Sequence, residues 1–409
     1  MDTRPTVDFD QYSEAFAADW RNVYDTMRKQ SPVLWSPHYG GFWVLMRYDD
    51  IVFAERNPHI FSCDNDISNE REGGQGIRIP RMPIRLDMME SDPPDHTALR
   101  GMEQPFFSVQ ALQPQFDQAQ RIADEQIDKA LDKGEIDLVH DYGVATAAQV
   151  GLSLLGFDPA RWPEFAGVAL NAYFPPDHPA YPVEPRDRAL AALDALIEEK
   201  KRNPGHDIVS KLVHSDLSPI TAKGMLTAMV FGAFDTVTAT TCNAIHWLAD
   251  HPEVHETLRT DDKALDKAVD EFLRAFPPLV SGLGRTLTQD HEMHGLTLRK
   301  GERVLLCYGA GSTDPERFEN PHSVKLDRHN ARQHLAYGAG PHRCLGAVLG
   351  QAELRILIRT LLIRLPDFKI DYTRAERFPR LGQVNGWQVM PVTVGVAAGE
   401  CQQATQTPA

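Results

Sequence analysis

The sequence predicts a mainly α-helical protein with small β-sheets at its edges. Apolar residues recur at helical spacing through most of the chain after Pro94, a pattern typical of amphipathic helices. Short strand patterns are confined to a few places, such as residues 42–46, 296–298 and 304–307. With 409 residues, 42% of them hydrophobic and 24% charged, the chain has the composition of a globular protein, and we expect one domain over residues 1–409.

Charge and cysteine usage exclude several classes of protein. The chain has 42 basic and 57 acidic residues and a net charge of −15, which is not the electrostatic pattern of a nucleic-acid-binding protein. Its five cysteines show no paired spacing, which favours a reducing cytoplasm over a disulfide framework. Residues 1–20 are acidic and polar without a signal-peptide or spanning pattern. We therefore expect a cytoplasmic protein without membrane contact and with loosely ordered tails at 1–20 and 400–409.

Two of the helices predicted in the first half of the chain are separated by irregular segments. A helix is expected at residues 49–57, directly after the strand pattern at 42–46. Residues 62–95 then run irregularly through glycines and prolines, and irregular segments of this length are usually functional. Their isoleucines and methionines indicate that they cover something apolar. A proline cluster at 175–185 predicts a break before an amphipathic helix at about 190–202.

A long helix is predicted from Ser218 to about Asp250, with serine as its cap and proline at its first position. Asp235 and Thr236 lie together inside its apolar run, although both are poor helix-interior residues. A buried carboxylate is costly unless it is paired. Asp235 is therefore either satisfied by a neighbouring base, with Thr236 bonded to the preceding turn, or it has a chemical task.

One stretch, Tyr337-Gly338-Ala339-Gly340-Pro341-His342-Arg343-Cys344-Leu345-Gly346, sets a single cysteine among glycines. Glycines let the backbone approach closely, and backbone N–H groups can then point at the sulfur. A lone thiolate does not suit structural zinc, which takes four ligands, but it suits the axial position of a heme. The other four cysteines are interpreted as inert apolar residues. The stretch is not a G-x-G-x-x-G phosphate loop, because arginine occupies position 343.

This stretch resembles the heme-binding signature of the cytochrome P-450 family, Phe-Gly-x-Gly-x-His-x-Cys-x-Gly, with Tyr337 in place of phenylalanine. The resemblance implies the cytochrome P-450 fold, a triangular helical heme domain. It also implies heme b (iron protoporphyrin IX) with an axial thiolate from Cys344, with Tyr337, Gly338 and Gly346 next to the ligand. The Tyr337 hydroxyl then needs a partner or water. The likeness runs over nearly the whole chain and is greatest to soluble bacterial hydroxylases of the camphor-oxidising kind.

By the same resemblance, the long helix carries the family's acid–alcohol pair. Thr236 would donate a hydrogen bond to dioxygen, and Asp235 would supply protons, which is a general-acid task. Gly232 and Ala233 would leave room for dioxygen beside them. The heme propionates would be bound by four residues that are ordinary surface residues in isolation. These are His96, Arg100, Arg285 and His342.

Glu271 and Arg274 lie three residues apart and therefore on one face of a helix. Exposed pairs of this kind contribute little to stability. The resemblance implies the family's buried Glu-x-x-Arg pair, in which loss of one partner would strand a charge. A basic third partner is expected at residues 321–324, where Ser323 occupies the position and His322 lies beside it. The third partner is left open.

The resemblance places the substrate pocket at residues 62–95, 173–185, the long helix and a C-terminal turn at 383–386. Candidate substrate contacts are Phe231, Phe234, Val280, Leu283, Gln383 and Val384. These walls are mainly apolar, which is usual for sites that bind small organic molecules. The substrate itself is not determined by the family, because specificity depends on the pocket.

The leading hypothesis is a monooxygenase that inserts one oxygen atom from O2 into a small to medium apolar substrate. No flavin or nicotinamide fingerprint is present, so electrons are expected from a ferredoxin and a ferredoxin reductase that uses NAD(P)H. Arg343 is a candidate docking residue for the acidic partner. Three alternatives remain: a peroxide-driven enzyme on the same scaffold, a heme-based gas sensor, and a ligand-binding protein without chemistry. The presence of Asp235 and Thr236 speaks against the peroxide-driven enzyme.

Overall fold

The computed structural model describes residues 4–64, 75–82, 84–169, 178, 183–382 and 384–394. Its α-helices are α1 Glu14–Ala18, α2 Trp20–Gln30, α3 Tyr48–Arg56, α4 Asp95–Glu103, α5 Gln113–Lys133, α6 Ala145–Leu155, α7 Trp162–Ala169, α8 Val183–Arg202, α9 Ile208–Val213, α10 Pro219–Ala233, α11 Asp235–Ala249, α12 His255–Thr260, α13 Asp262–Ala275, α14 Tyr308–Ser312 and α15 Ala347–Arg364. Its strands are β1 Val33–Ser36, β2 Phe42–Leu45, β3 Phe61–Ser62, β4 Glu135–Asp137, β5 Leu283–Leu287, β6 His291–Met293, β7 Leu296–Leu298, β8 Arg303–Leu306, β9 Lys369–Ile370, β10 Glu376–Arg377, β11 Trp387–Val389 and β12 Pro391–Thr393.

The strands form small sheets beside the helices. The largest has the order β1-β2-β8-β5-β3, and β4-β12-β9 form a second, while β6-β7 and β10-β11 are isolated pairs. β2 and β8 run parallel with Trp43 opposite Val304, and β5 runs antiparallel to β8 with Arg285 opposite Val304. The predicted class, mainly α with small β-sheets, is confirmed.

Two large apolar clusters form most of the core. The larger one packs α11, α13 and α15 together through residues such as Ile245, Phe272 and Leu357. The second joins the N-terminal helices to the main sheet through Phe9, Phe16 and other aromatic residues. Burial of each large side chain contributes about 1.5–3 kcal/mol. The prediction of a loose segment at 1–20 is therefore wrong for residues 4–20; residues 1–3 and the predicted tail at 400–409 lie outside the described residues.

The long helix predicted from Ser218 is present but broken. Ser218 caps α10 by accepting a hydrogen bond from the Thr221 N–H, as its position predicts. Helical geometry is interrupted at Phe234, between α10 and α11. Next to this break, Thr236 Oγ1 donates to Gly232 O at 3.2 Å and Thr238 Oγ1 donates to Phe234 O at 2.8 Å. Hydroxyls that bond to the preceding turn often accompany bends in helices, and both threonine bonds lie at this break.

The helical stretch Pro219–Ala249 is long and apolar enough to cross a membrane by length and composition alone. Within the protein, 61% of its most apolar window is buried. Such burial is what a core helix shows, and it makes the stretch weak support for a membrane span.

The irregular segment does cover apolar space. Its described part buries Ile77, Ile79 and Leu86, and the Gly284 N–H donates to Ile77 O at 2.7 Å. The helix expected at 190–202 begins earlier than predicted, at Val183. Pro185 falls in its first turn, where a missing N–H costs no helical hydrogen bond. The other prolines of that cluster lie outside the described residues.

Candidate functional site

The loop before α15 presents Cys344 through two glycines in the left-handed region. Gly338 and Gly340 both have φ of +63°, a conformation that glycine adopts without strain. The Cys344 N–H donates to Tyr337 O at 2.8 Å and closes the loop. A Cβ at position 340 would lie 2.3 Å from the Glu55 carbonyl oxygen. The loop therefore packs directly on the end of α3, and only glycine fits that contact.

Cys344 is the exposed cysteine among those that the structure describes, and the surrounding protein influences the charge of its thiol. Burial raises the pKa of the thiol, while the backbone N–H of Gly346 and the charges of Arg343 and Arg100 favour the thiolate. A cysteine in such a setting loses its proton when a metal cation binds, because the positive groups already oppose the cost of burial. Cys344 is thus suited to be an axial thiolate ligand.

Tyr337 lies beside this ligand with its hydroxyl buried. Among the described residues the hydroxyl has no hydrogen-bond partner, and it lies 3.5 Å from the position that a Cβ on Gly350 would take. Its ring packs edge-on against His334, with centroids 5.3 Å apart. The sequence predicted that this hydroxyl needs a partner or water, and no protein partner is found for it in the described part of the chain.

Three donor residues lie close together at the cysteine loop: His96, Arg100 and His342. The rings of His96 and His342 are 4.0 Å apart. Both ring nitrogens of His96 and Nε2 of His342 are buried without partners among the described residues. Burial, followed by the charge of Arg100, lowers the pKa of His96 to about 4. Burial, followed by the charges of Arg285, His96 and Arg100, lowers the pKa of His342 to about 2.

Buried polar atoms in native proteins nearly always have partners, so these unpartnered nitrogens indicate a polar ligand. Neutral imidazole N–H groups and a guanidinium are donors that bind carboxylates. The carboxylates of heme propionates fit this donor set, and the accessible thiol of Cys344 fits the iron. The residues present therefore suit a heme.

Arg285, the fourth predicted propionate donor, is bound elsewhere. Its Nη2 lies 3.0 Å from Glu55 Oε1 and its Nη1 donates to Gly284 O at 2.8 Å. The hydroxyl of Tyr308 also donates to Glu55. Glu55 already neutralises Arg285, because both side chains are almost fully buried in contact. Its role as a propionate donor stays a prediction, because a guanidinium has five N–H donors and the charge of Arg285 also acts on His342.

Gly232 faces open space at the helix break, since a Cβ there would meet nothing within 4 Å. Ala233 does not share that space. Its methyl group would lie 3.0 Å from a Cβ on Gly151 of α6, and a ring carbon of Phe234 would lie 2.9 Å from it. Ala233 as a residue that makes room for dioxygen and Phe234 as a substrate contact are therefore corrected. The Ala233 methyl group and the Phe234 ring both lie against Gly151 of α6 instead.

Asp235 and Thr236 begin α11 directly after the break. Burial raises the pKa of Asp235 to about 6, and the charge of Arg78 and the Thr236 backbone N–H oppose the rise. Near neutral pH the carboxyl can therefore hold and release a proton. Of the first reading, the structure shows that the Thr236 hydroxyl bonds to the preceding turn and that the charge of Arg78 favours the Asp235 carboxylate. The chemical task of Asp235 stays a prediction.

Glu271 and Arg274 form a buried pair with neither side chain exposed. Arg274 Nε and Nη2 lie 2.7 and 2.8 Å from the two Glu271 oxygens. The third partner is Arg328, whose Nε lies 3.0 Å from Glu271 Oε2. The expected position was wrong: Ser323 contributes only its carbonyl, to both arginines. His322 binds Asp25 instead.

The predicted substrate contacts separate into three groups. Phe231 and Leu283 are half-buried on α10 and β5, and Val384 is buried in the turn between β10 and β11. Val280 is fully buried in the N-terminal cluster, where it packs against Gly309, so its role as a substrate contact is corrected to a core role. Gln383 and residues 173–177 and 179–182 lie outside the described residues.

The sequence interpretation missed Glu55 and Arg328. Glu55 follows Ile51 by four residues, so helical spacing turns it toward the apolar face of α3. That spacing is a signal for a buried acid. Arg328 stands in the loop six residues before His334, and nothing in its local pattern distinguishes it from Arg317 or Arg332.

Cys63, Asp92 and His342 place one ligand atom each within 4.8 Å of one another. This group is not a ready metal site. Burial raises the pKa of Cys63 to about 12, which keeps its thiol protonated. Asp92 already accepts hydrogen bonds from Ser62 and from the Cys63 N–H.

The fold and the cysteine loop together define a heme-thiolate protein. A family model described as Cytochrome P-450 matches residues 182–379. Linalool 8-monooxygenase of Pseudomonas putida is 28% identical over 91% of this chain and 95% of its own. Steroid C26-monooxygenase of Mycolicibacterium smegmatis is 29% identical over 96% and 97%. A solved Mycobacterium marinum cytochrome P-450 in complex with pseudoionone superimposes with a TM-score of 0.85 at 25% identity, covering 96% of this chain and all of that one.

The chain belongs to the cytochrome P-450 family. It is accordingly an oxidoreductase of the monooxygenase type that uses heme with a cysteine thiolate as axial ligand. The family resemblance predicted from the cysteine loop is confirmed. Members of this family act on organic substrates with dioxygen.

Proposed function

We propose that this protein inserts one oxygen atom from O2 into a small to medium organic substrate, with Cys344 as the axial ligand. The observation that supports this most is the Cys344 loop itself, with its two left-handed glycines, the Gly346 N–H at the sulfur and unpartnered histidine nitrogens beside it. When bound, the heme supplies the chemistry of dioxygen activation.

His96, Arg100 and His342 are proposed to bind the propionates. Their support is the pair of neutral, closely spaced rings with free nitrogens and the cation of Arg100 next to them. N–H donors of this kind hold a carboxylate in one orientation. They would thereby fix the plane of the cofactor relative to Cys344.

Thr236 and Asp235 are proposed to handle protons. The open space at Gly232 lies next to the break at Phe234, and the bond of the Thr236 hydroxyl to Gly232 O fixes the position of this hydroxyl there. Because its pKa is raised to about 6, the Asp235 carboxyl is protonated in a fraction of the protein molecules near neutral pH. A relay that begins at this carboxyl is a general-acid function.

Electrons are proposed to come from a separate ferredoxin and its reductase with NAD(P)H, in the cytoplasm. Arg343, next to the ligand and with its guanidinium 5.7 Å from the Tyr337 ring centroid, is the proposed contact for an acidic partner. Phe231, Leu283 and Val384 are the described residues retained as substrate contacts. A peroxide-driven enzyme is the second candidate, but Thr236 and Asp235 at the helix break favour the dioxygen route.

The test uses the heme-loaded protein. Its reduced carbon-monoxide complex should show the red-shifted Soret band that gives the family its name. Cys344→Ser should lose that band, while Cys242→Ser, which replaces a buried cysteine of α11, should keep it. Product formed only with O2, ferredoxin, reductase and NAD(P)H supports the monooxygenase. Product formed equally with peroxide alone would support the second candidate, and an unchanged band in Cys344→Ser would remove the ligand assignment.

A further inference from the structure

A small cavity, the inner cavity, lies beside α11 next to Asp235. Its volume is about 10 Å³, which is close to the smallest volume that can hold one water molecule. Asp235, Thr238 and Cys242 line it, and their spacing of three and four residues places them on one face of α11. The Asp235 carboxyl and the Thr238 hydroxyl are the polar groups that a water molecule needs there.

A second cavity, the outer cavity, has a volume of about 250 Å³ and lies between α1 and α2 and the turn that joins β10 to β11. Asp19 and Arg377, which are both exposed, line it, so it is open to solvent. Phe378 and Gly386 line both cavities. The inner and outer cavities therefore adjoin at these two residues.

The wall between the two cavities is thin because position 386 has no side chain. A Cβ on Gly386 would lie 3.0 Å from Cε2 of Phe378 and 3.3 Å from Cβ of Ala239 on α11. Carbon atoms pack at about 3.5–4.0 Å, so even a methyl group at this position would fill the contact between the turn and α11.

Hydrogen bonds hold this wall against α11. The Phe378 N–H donates to Gly386 O at 3.2 Å. Asn243 of α11 donates from Nδ2 to Asn385 O at 2.7 Å, and its Oδ1 accepts from Nε1 of Trp387 at 3.1 Å. The junction between the cavities therefore has a fixed position relative to the helix that carries the buried acid.

We propose that protons reach Asp235 from solvent through the outer cavity and past Phe378 and Gly386, separately from the space that receives the substrate. A hydrated proton passes along water from the outer to the inner cavity and binds a carboxylate oxygen of Asp235 after that group has given up its own proton. Only O–H bonds are made and broken. The inference rests on the proposed function, because it assumes that Asp235 supplies protons to the reaction.

The competing interpretation is that protons enter through the open space at Gly232, next to the helix break. In that case the wall at Phe378 and Gly386 is a packing contact only. A change in its thickness would then leave proton exchange at Asp235 unaltered. The two interpretations therefore differ in one measurable rate.

The experiment follows hydrogen–deuterium exchange of the Asp235 carboxyl by infrared spectroscopy, after rapid mixing of the heme-loaded protein into D2O. At about pH 5 this carboxyl is mostly protonated, because its pKa is about 6, and its C=O band is the one that Asp235→Asn removes. Gly386→Ala should slow the exchange about tenfold or more, because water then passes only when the turn opens locally. Phe378→Leu removes part of the wall and should accelerate the exchange.

Gly167→Ala is the matched control, because its Cβ would lie 3.2 Å from Cβ of Pro185, a similarly close contact between residues that line neither cavity. It should keep the wild-type rate. The carboxyl bands of Glu103 and Glu353, whose pKa burial raises to about 8, provide an internal reference in the same spectra. Their exchange should not change in Gly386→Ala.

The proposal is overturned if Gly386→Ala keeps the wild-type rate at Asp235, if it slows the Glu353 band equally, or if Phe378→Leu fails to accelerate the exchange. Because the two variants should act in opposite directions, a general loss of stability cannot produce the expected result. The exchange is measured without turnover. Loss of the carbon-monoxide band in the wild type would instead remove the proposed function, so the two failures are distinguishable.

Discussion

Arg328 and Glu271 lie 57 positions apart in the chain, yet Arg328 Nε lies 3.1 and 3.0 Å from the two carboxylate oxygens of Glu271. Arg274 binds the same carboxylate from its own helix. The Arg328 guanidinium also donates to the carbonyls of Glu319, Asn320 and Ser323. This triad therefore attaches the loop that leads into the cysteine stretch to α13.

Arg328→Met should destabilise the protein by about 3–5 kcal/mol, because it leaves Glu271 with one cation and removes the donors of several buried carbonyls. Thermal or urea unfolding of the heme-loaded protein measures the change. Arg332→Met is the control, since Arg332 has 85% of its side chain exposed and only a 3.6 Å contact to Asp270; it should cost under about 1 kcal/mol. Equal losses in the two variants would contradict the role of the triad.

Gly340→Ala should reduce heme content strongly. The substitution combines a strained positive φ with a Cβ 2.3 Å from the Glu55 carbonyl. Gly338→Ala is the matched control, because it has the same φ but its nearest neighbour is 3.8 Å away, at the Tyr308 hydroxyl. It should cost only the strain, about 1 kcal/mol. The ratio of heme absorbance to protein absorbance measures occupancy, and similar occupancy in both variants would argue against the contact with α3.

Thr236→Ala should bind substrate normally but form several-fold less product per NAD(P)H, with electrons diverted to peroxide. The physical reason is loss of a hydroxyl that the bond to Gly232 O holds at the helix break. Thr236→Ser retains the hydroxyl and should retain most of the coupling. Product and peroxide are measured together with NAD(P)H consumption. Full coupling in the alanine variant would exclude Thr236 from the mechanism.

Glu353→Gln should make stability less dependent on pH. Burial raises the pKa of Glu353 from 4.5 to about 8, so the folded protein binds a proton that the unfolded chain has lost. The contribution of Glu353 is therefore complete below about pH 4.5 and is lost as the pH rises toward 8, by at most about 1.4 kcal/mol per pH unit. The glutamine side chain does not ionise in this pH range.

The melting temperature of the wild type should thus fall relative to Glu353→Gln between about pH 5 and pH 8. Glu253→Gln, at an exposed position, should follow the wild type over the same range. If the two variants differed from the wild type by the same amount at every pH, Glu353 would not be the buried acid that the structure indicates.

Periodicity and local motifs were enough for the helical class, the cap at Ser218 and the loop at Cys344. Each of these depends on neighbours within a few residues, and glycine, serine and proline restrict local backbone geometry directly. The break at Phe234 was not predicted, because a hydroxyl bonded to the preceding turn is compatible with a bent or a straight helix. Packing of α10 and α11 against different neighbours decides between them.

By itself, the sequence determined the family, the cysteine that is suited to bind the heme and the positions of Asp235 and Thr236 next to each other. It did not determine that Arg328 completes the Glu271 triad or that Glu55 neutralises Arg285. Those relationships join residues far apart in the chain. The local sequence around an arginine is the same whether its guanidinium is solvated or forms an ion pair. Only the tertiary structure decides which anion lies close enough to interact with its charge.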